Sequence, residues 1–183
     1  MVTDFIRTCA VGYVRKQPKA EQYRLRERVF AFQTGPFGWF ADMLCGLLFG
    51  SNLKMLATIY MTDKWNHHWY AQHYEEILKQ DRHKKINILE IGVGGYDNPR
   101  MGGNSLRMWS TFFPKGHVYG VDIYDKSPHD RRRIKTFCGS QVDPIFLDML
   151  VREIGKIDVI IDDGSHINEH MILTFQQIGR AHV

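Results

Sequence analysis

Apolar and polar positions follow two different rhythms in the two halves of the chain. Up to about residue 85 the spacing is helical. "EQYRLRERVFAF" sets Tyr23, Leu25, Val29 and Phe30 among charges, "TGPFG" interrupts it, and "GWFADMLCGLLFGSNLKMLATIYM" follows. Asp42, Gly46, Gly50, Ser51, Asn52 and Lys54 break that apolar stretch, so it predicts two packed amphipathic helices and no stable membrane insertion. "TDKWNHHWYAQHYEEILKQ" reads as a loop running into a helix, with Trp69, His73 and Ile77 at four-residue spacing along one face. Residues 1–85 are therefore expected to form a helical N-terminal region or cap.

From residue 86 strands and helices alternate, the pattern of a parallel sheet covered by helices. "INILEI" (86–91), "VYGVDI" (118–123), "RIKTFCG" (133–139) and "IDVIID" (157–162) are the expected strands. "NSLRMWSTFF" predicts a helix with Leu106, Trp109 and Phe113 on one face and Asn104 or Ser105 as its cap. Asp143 before Pro144 predicts another helix start, with Leu147, Leu150, Val151 and Ile154 buried and Gly155 as its stop. "NEHMILTFQQ" begins a last helix. The expected fold class is α/β, a Rossmann-like parallel sheet of four strands behind a helical N-terminal region.

Composition narrows the function. The chain has 183 residues, 44% of them hydrophobic, enough for one domain with a core. The net charge of +4 is mild, and the basic residues divide between Arg15, Lys16, Lys19, Arg24, Arg26 and Arg28 and the run Arg131, Arg132, Arg133. No interleaved aromatic platform accompanies them, so solvated helix faces are expected and nucleic acid is not. Cys9, Cys45 and Cys138 are odd in number and lack metal-type spacing, which suggests a reducing cytoplasm. Asp4 and Arg7 interrupt the first residues, and no signal peptide is expected.

The strand ends carry the chemistry, because ligands of such sheets bind at the strands' carboxyl ends. After the first strand, "EIGVGGYDNPRMGGNSL" supplies Gly92, Gly94 and Gly95, which let the backbone turn tightly beside a ligand. The spacing is not that of a dinucleotide-binding turn, and Glu90 suits a cationic or amino-bearing ligand better than a pyrophosphate. Both features disfavour a nicotinamide oxidoreductase. Asp122, ending the second strand, can accept hydrogen bonds from two vicinal ribose hydroxyls. Ser140 and Gln141 follow the third strand, where an amide could read an adenine edge. The fourth strand ends in "VIIDDGSH", which brings Asp162, Asp163, Ser165 and His166 to the rim, with Gly164 expected to make the sharp turn.

These segments, in this order and preceded by "TDKW", resemble the class I S-adenosylmethionine-dependent sugar O-methyltransferases of the mycinamicin and macrocin type. The resemblance covers roughly residues 52–175. It implies that Glu90, Ile91, Gly92, Val93, Gly94, Gly95, Tyr96 and Ser105 line the cofactor. It further implies that Asp122 holds the ribose, with Ser140 and Gln141 near the adenine. Asp163 would bind a magnesium ion beside the cofactor and His166 would be the catalytic base. Lys64 and Trp65 would fall in a segment closing over the cofactor. The chemistry is consistent: an alcohol is a poor nucleophile until deprotonated, a hard dication can lower its pKa, and an imidazole can take the proton at neutral pH. The implied acceptor is a sugar hydroxyl on a small glycosylated metabolite or a glycan, and related enzymes form homo-oligomers.

The chain departs from that family after its fourth strand. A fifth strand and its acidic pair of metal ligands have no counterpart, so the metal site is expected to be incomplete and the fourth strand to leave an apolar open edge. "IGRAHV" (178–183) breaks the last helix with a glycine and reads as the translation of a common sequencing-library adapter, so a truncated gene with a non-native tail is expected. The domain reading is thus 1–85 helical region, 86–177 partial methyltransferase domain, 178–183 tail. Two functional readings stand: a magnesium-assisted sugar O-methyltransferase, and a non-catalytic fragment that binds S-adenosylmethionine. A nucleic-acid methyltransferase is a further alternative, permitted only by the Arg131–133 run.

Overall fold

The computed structural model describes residues 18–65 and 68–180. Cys9, Arg15, Lys16 and the final three residues of "IGRAHV" lie outside it, as does the expectation of helix for residues 1–17.

Among the described residues four helices come first: α1 (Lys19–Thr34), α2 (Pro36–Phe49), α3 (Leu53–Ile59) and α4 (Ala71–Leu78). Gly35 separates α1 from α2, and Pro36 opens α2 at a position where its missing N–H costs nothing. Asn52 caps α3 by accepting from the Met55 N–H at 2.9 Å. The face of α4 differs from expectation. Trp69, His73 and Ile77 face solvent, while Ala71 and Leu78 are buried and Tyr74 packs on the core. The i, i+3, i+7 stripe outcompetes the i, i+4, i+8 stripe because it lets Tyr74 meet Trp109 edge-on at 5.4 Å. The outer half of α2 presents Phe37, Trp39, Phe40, Leu47 and Leu48 to solvent. Its one charged residue, Asp42, turns inward to accept from Tyr60, Arg107 and Arg131 at 2.7, 2.6 and 3.1 Å.

The second half is the expected alternation: β1 (Asn87–Ile91), α5 (Asn104–Phe112), β2 (His117–Asp122), β3 (Ile134–Cys138), α6 (Pro144–Ile154), β4 (Val159–Asp162) and α7 (Asn168–Arg180). All pairings are parallel and the order is β3-β2-β1-β4. β4 is therefore a sheet edge among the described residues. Side chains alternate across the sheet. Ile88, Val118, Val159 and Ile161 join the α3, α4 and α5 cluster, whereas Leu89, Ile91, Val121 and Ile160 join the α6 and α7 cluster.

Asp143 caps α6 through its Oδ1, which accepts from the Ile145 and Phe146 N–H groups at 2.9 and 3.3 Å. Leu147, Leu150, Val151 and Ile154 are buried as expected. The cap of α5 is neither Asn104 nor Ser105 but Gly103, in the left-handed region at φ 68°. Gly103 N–H donates to the Val93 carbonyl at 2.9 Å, which folds the glycine loop onto the helix start. Gly179 does not end α7, which continues to Arg180 with Ile178 fully buried. One interior glycine costs only about 1 kcal/mol, which the packed face can offset. The Arg131–133 run is a loop before β3 and not a helix face. Arg133 donates to the Ser110, Phe113 and Gly116 carbonyls at 2.6, 2.8 and 2.9 Å, so it caps the end of α5.

Candidate functional site

The carboxyl ends of the strands border a cavity of about 650 Å³. Ile91, Gly92, Val93, Gly94, Gly95 and Tyr96 form one wall, with Ser105 at the head of α5 beside them. Asp122 and Gln141 border it from the β2 and β3 ends, and Asp163 and His166 from the β4 end. Glu90 and Ser140 do not line it. Glu90 is fully buried on the α3–α5 side of β1, beneath the cavity, and Ser140 turns its Oγ to accept from the Val142 N–H at 3.3 Å.

Gly92 is the pivot of the wall. Its φ is +90° and its N–H donates to the Val121 carbonyl at 2.8 Å. A Cβ there would collide with the Asp163 carbonyl, so the absence of a side chain is what lets the β4 loop cross beside β1. Asp163 N–H in turn donates to the Ile91 carbonyl at 2.8 Å. The chain bends at Gly164 and Ser165 as expected, while the left-handed residue of the loop is His166, whose φ is 57°. Gly164 is needed for closeness: a Cβ on it would strike the Gln141 side chain.

Asp122 braces the glycine turn. Its Oδ2 accepts from the Val93 and Gly94 N–H groups at 3.0 and 3.2 Å, and its Oδ1 from Tyr124 N–H at 3.0 Å. A carboxylate offers about four lone-pair directions and three are taken, so capacity for one ribose hydroxyl remains. Gln141 is largely committed to the protein: its amide donates to Asp162 Oδ2 at 3.1 Å and Thr174 Oγ1 at 3.3 Å, and its Oε1 accepts from Ser165 N–H at 3.0 Å. It ties the loop after β3 to the loop after β4. The His166 Nε2 lies 3.9 Å from Asp163 Oδ1, with the imidazole 73% exposed.

Two lysines absent from the expected site set organise it. Lys64, only 3% exposed, places its ammonium 2.7 Å from Asp163 Oδ2 and 3.1 Å from Glu90 Oε1. The Asp163 contact is a hydrogen bond; neither Glu90 oxygen has a partner in good hydrogen-bond geometry, so the second contact is an ion pair. Burial works to discharge Lys64, but Glu90 and Asp163 outweigh it and hold its pKa above the lysine range. Burial raises the Glu90 pKa, opposed by Lys64 and Ser105.

Lys126 is 1% exposed and donates to the Tyr96, Asn98 and Met101 carbonyls at 2.6, 2.9 and 3.3 Å. Three carbonyls satisfy its three protons and gather the loop that follows the glycine turn. Lys126→Met should remove about 2–4 kcal/mol of stability, since hydrogen bonds to a charged donor contribute about 1.5–3 kcal/mol each and the stranded carbonyls regain water only in part. Chemical denaturation gives the loss, and amide exchange should place it in residues 96–102.

Among the described residues, no three His, Cys, Asp or Glu side chains converge as a metal centre, and no helix is long and apolar enough to cross a membrane.

No family model matches the chain. The mycinamicin VI 2''-O-methyltransferase of Micromonospora griseorubida is 48% identical to it over 125 residues, which is 68% of this chain and 31% of that protein. The demethylmacrocin O-methyltransferase of Streptomyces fradiae is 45% identical over 128 residues, 69% of this chain and 32% of that one. The solved MycE methyltransferase from the mycinamycin biosynthetic pathway, in complex with Mg, SAH and mycinamycin VI, superposes with a TM-score of 0.69 at 46% identity. It covers 71% of this chain and 36% of its own. The parallel sheet and its rim cavity define a Rossmann-like methyltransferase fold. Within that class, the shared span is similar to the sugar O-methyltransferases that the mycinamicin and macrocin enzymes represent. The chain spans about a third of the length of these relatives.

Proposed function

We propose that this chain carries the S-adenosylmethionine-binding part of an O-methyltransferase acting on a sugar hydroxyl of a glycosylated metabolite or glycan. The observation that carries the reading is a convergence: the glycine turn at Gly92, the Asp122 carboxylate and the Asp163–His166 loop border one cavity. The cofactor supplies an electrophilic methyl group on a sulfonium. Gly92, Gly94 and Gly95 keep the backbone low beneath the nucleoside, and Asp122 accepts from a ribose hydroxyl. Glu90 acts from below the cavity, through Lys64, and does not touch the ligand. His166 accepts the acceptor hydroxyl proton on its imidazole as the oxygen attacks the methyl carbon and the carbon–sulfur bond breaks. Asp163 would contribute a ligand to magnesium, but among the described residues no three His, Cys, Asp or Glu side chains converge there, so they do not hold the ion alone.

The free thiols of Cys45 and Cys138 support a reducing cytoplasmic setting, and the apolar outer face of α2 supports assembly with a second copy. The second reading, a fragment that binds the cofactor without turnover, rests on the same cavity and on the incomplete cage.

Calorimetric titration of the chain with S-adenosylhomocysteine tests the cofactor site. Saturable one-to-one binding is expected, weakened at least about tenfold by Asp122→Ala, which deletes a hydrogen bond to the ribose and the two that brace the glycine turn. Absence of binding by the unaltered chain would remove the reading. A methyl-transfer assay with the same protein separates the enzyme from the binding fragment.

A further inference from the structure

Lys64 lies between two carboxylates that come from different strands. Glu90 belongs to β1 and is 0% exposed; Asp163 follows β4 and is 30% exposed. Lys64 itself sits on the segment between α3 and α4. Its backbone is held there as well, since its carbonyl accepts from Ala71 N–H at 2.9 Å. The ammonium is thus fixed from behind by Glu90 and from the side by its own segment.

The consequence falls on Asp163. Its Oδ2 is taken by Lys64 at 2.7 Å, and its Oδ1 is the oxygen nearer His166, at 3.9 Å. We infer that Lys64 is the positioning residue of this site. Seated on Glu90, it fixes the plane of the Asp163 carboxylate so that a single oxygen, Oδ1, is presented to the cavity beside His166. The inference deepens the reading of Asp163 and His166 as the reacting end of the cavity, and it rests on that reading.

Several features follow from the arrangement. A cation or hydroxyl arriving at the β4 end meets one oxygen of defined direction, not a bidentate carboxylate free to rotate. Glu90 acquires a role without touching a ligand: it is the buried counter-charge that seats the lysine, since an ammonium is held in a dry site only when paired. The same ammonium ties Thr62, Asp63 and Lys64, all on the cavity wall, to the ends of β1 and β4. The formal charge of the trio is −1, which leaves a negative end facing a cationic methyl donor.

A plainer role for Lys64 would be neutralising Glu90 and nothing more. Three variants separate the two: Lys64→Met, Glu90→Gln, and the double variant. Lys64→Met strands the buried Glu90 and should melt well below the unaltered protein. The double variant removes both buried charges and should recover most of that loss. Its amides at residues 163–166 should nevertheless exchange at least tenfold faster than in Glu90→Gln, which keeps the lysine on Asp163. Its affinity for S-adenosylhomocysteine should stay at least fivefold weaker than that of Glu90→Gln. Restored exchange protection in the double variant would overturn the positioning role, because neutralisation would then explain everything. The exchange measurement is made without ligand. A chain that fails to bind S-adenosylhomocysteine would therefore sink the cofactor reading, while exchange alone still decides whether Lys64 orders Asp163.

Discussion

Gly92→Ala should cost about 2–4 kcal/mol and abolish measurable binding of S-adenosylhomocysteine. Two contributions add. A left-handed backbone costs a residue bearing a Cβ about 1–2 kcal/mol, and φ of +90° lies beyond the narrow region that alanine tolerates best. The new methyl would also occupy the place of the Asp163 carbonyl, forcing the loop after β4 away from β1. That loop carries Asp163, Gly164, Ser165 and His166, so displacing it dismantles one wall of the cavity. Gly94→Ala is the control. Its φ is +80° but nothing lies within 4 Å of an added Cβ, so it bears conformational strain alone. For a chain of this size, 3 kcal/mol lowers the melting temperature by on the order of 10 °C. The difference between the two variants isolates the close approach. Equal melting temperatures would mean that β1 and the β4 loop are not held together at Gly92.

The same contrast shows which parts of the molecule could be read from residues alone. Every strand was legible, β1, β2 and β4 from mostly apolar runs and β3, with Lys135 and Thr136 inside it, from its β-branched and aromatic residues. The start of α6 was legible from Asp143 and Pro144, whose capping chemistry is local. The rim residues Gly92, Asp122 and His166 were legible because a parallel sheet brings all its strand ends to one side. The contacts of the lysines were not, although the resemblance had put Lys64 in a segment beside the cofactor. Lys64 and Asp163 are 99 positions apart, and Lys126 reaches carbonyls 25 to 30 positions away, so neither contact leaves a spacing in the chain. Glu90 was half legible. The alternation of Ile88, Leu89, Glu90 and Ile91 assigns it to the face of Ile88, away from Leu89 and Ile91, but not to a lysine waiting there. Gln141 shows the reverse case. Its type suggested ligand recognition, whereas two tethered loops already occupy its amide. In α4, two apolar stripes were compatible with the sequence, and only the position of Trp109 decides between them.

His166 offers the largest functional effect. Under the proposed methyl-transfer role, replacing it with asparagine should lower turnover about 10²–10⁴-fold, the usual contribution of a positioned proton acceptor, with affinity for S-adenosylhomocysteine within twofold of normal. Alanine alone would not establish this. His166 occupies the left-handed region at φ 57°, and alanine there would strain the loop and shift Asp163 with it. Asparagine tolerates that conformation and has no basic nitrogen, so His166→Asn keeps the backbone and deletes the base. If proton acceptance is the role, asparagine and alanine should be equally inactive, and asparagine should leave cofactor affinity undisturbed. A His166→Asn enzyme that retains turnover, beside an inactive His166→Ala, would assign the histidine to shaping the loop. The 3.9 Å separation from Asp163 Oδ1 makes the first outcome the expected one. At that distance no hydrogen bond fixes Nε2 as a donor to the carboxylate, so the nitrogen is open to accept a proton.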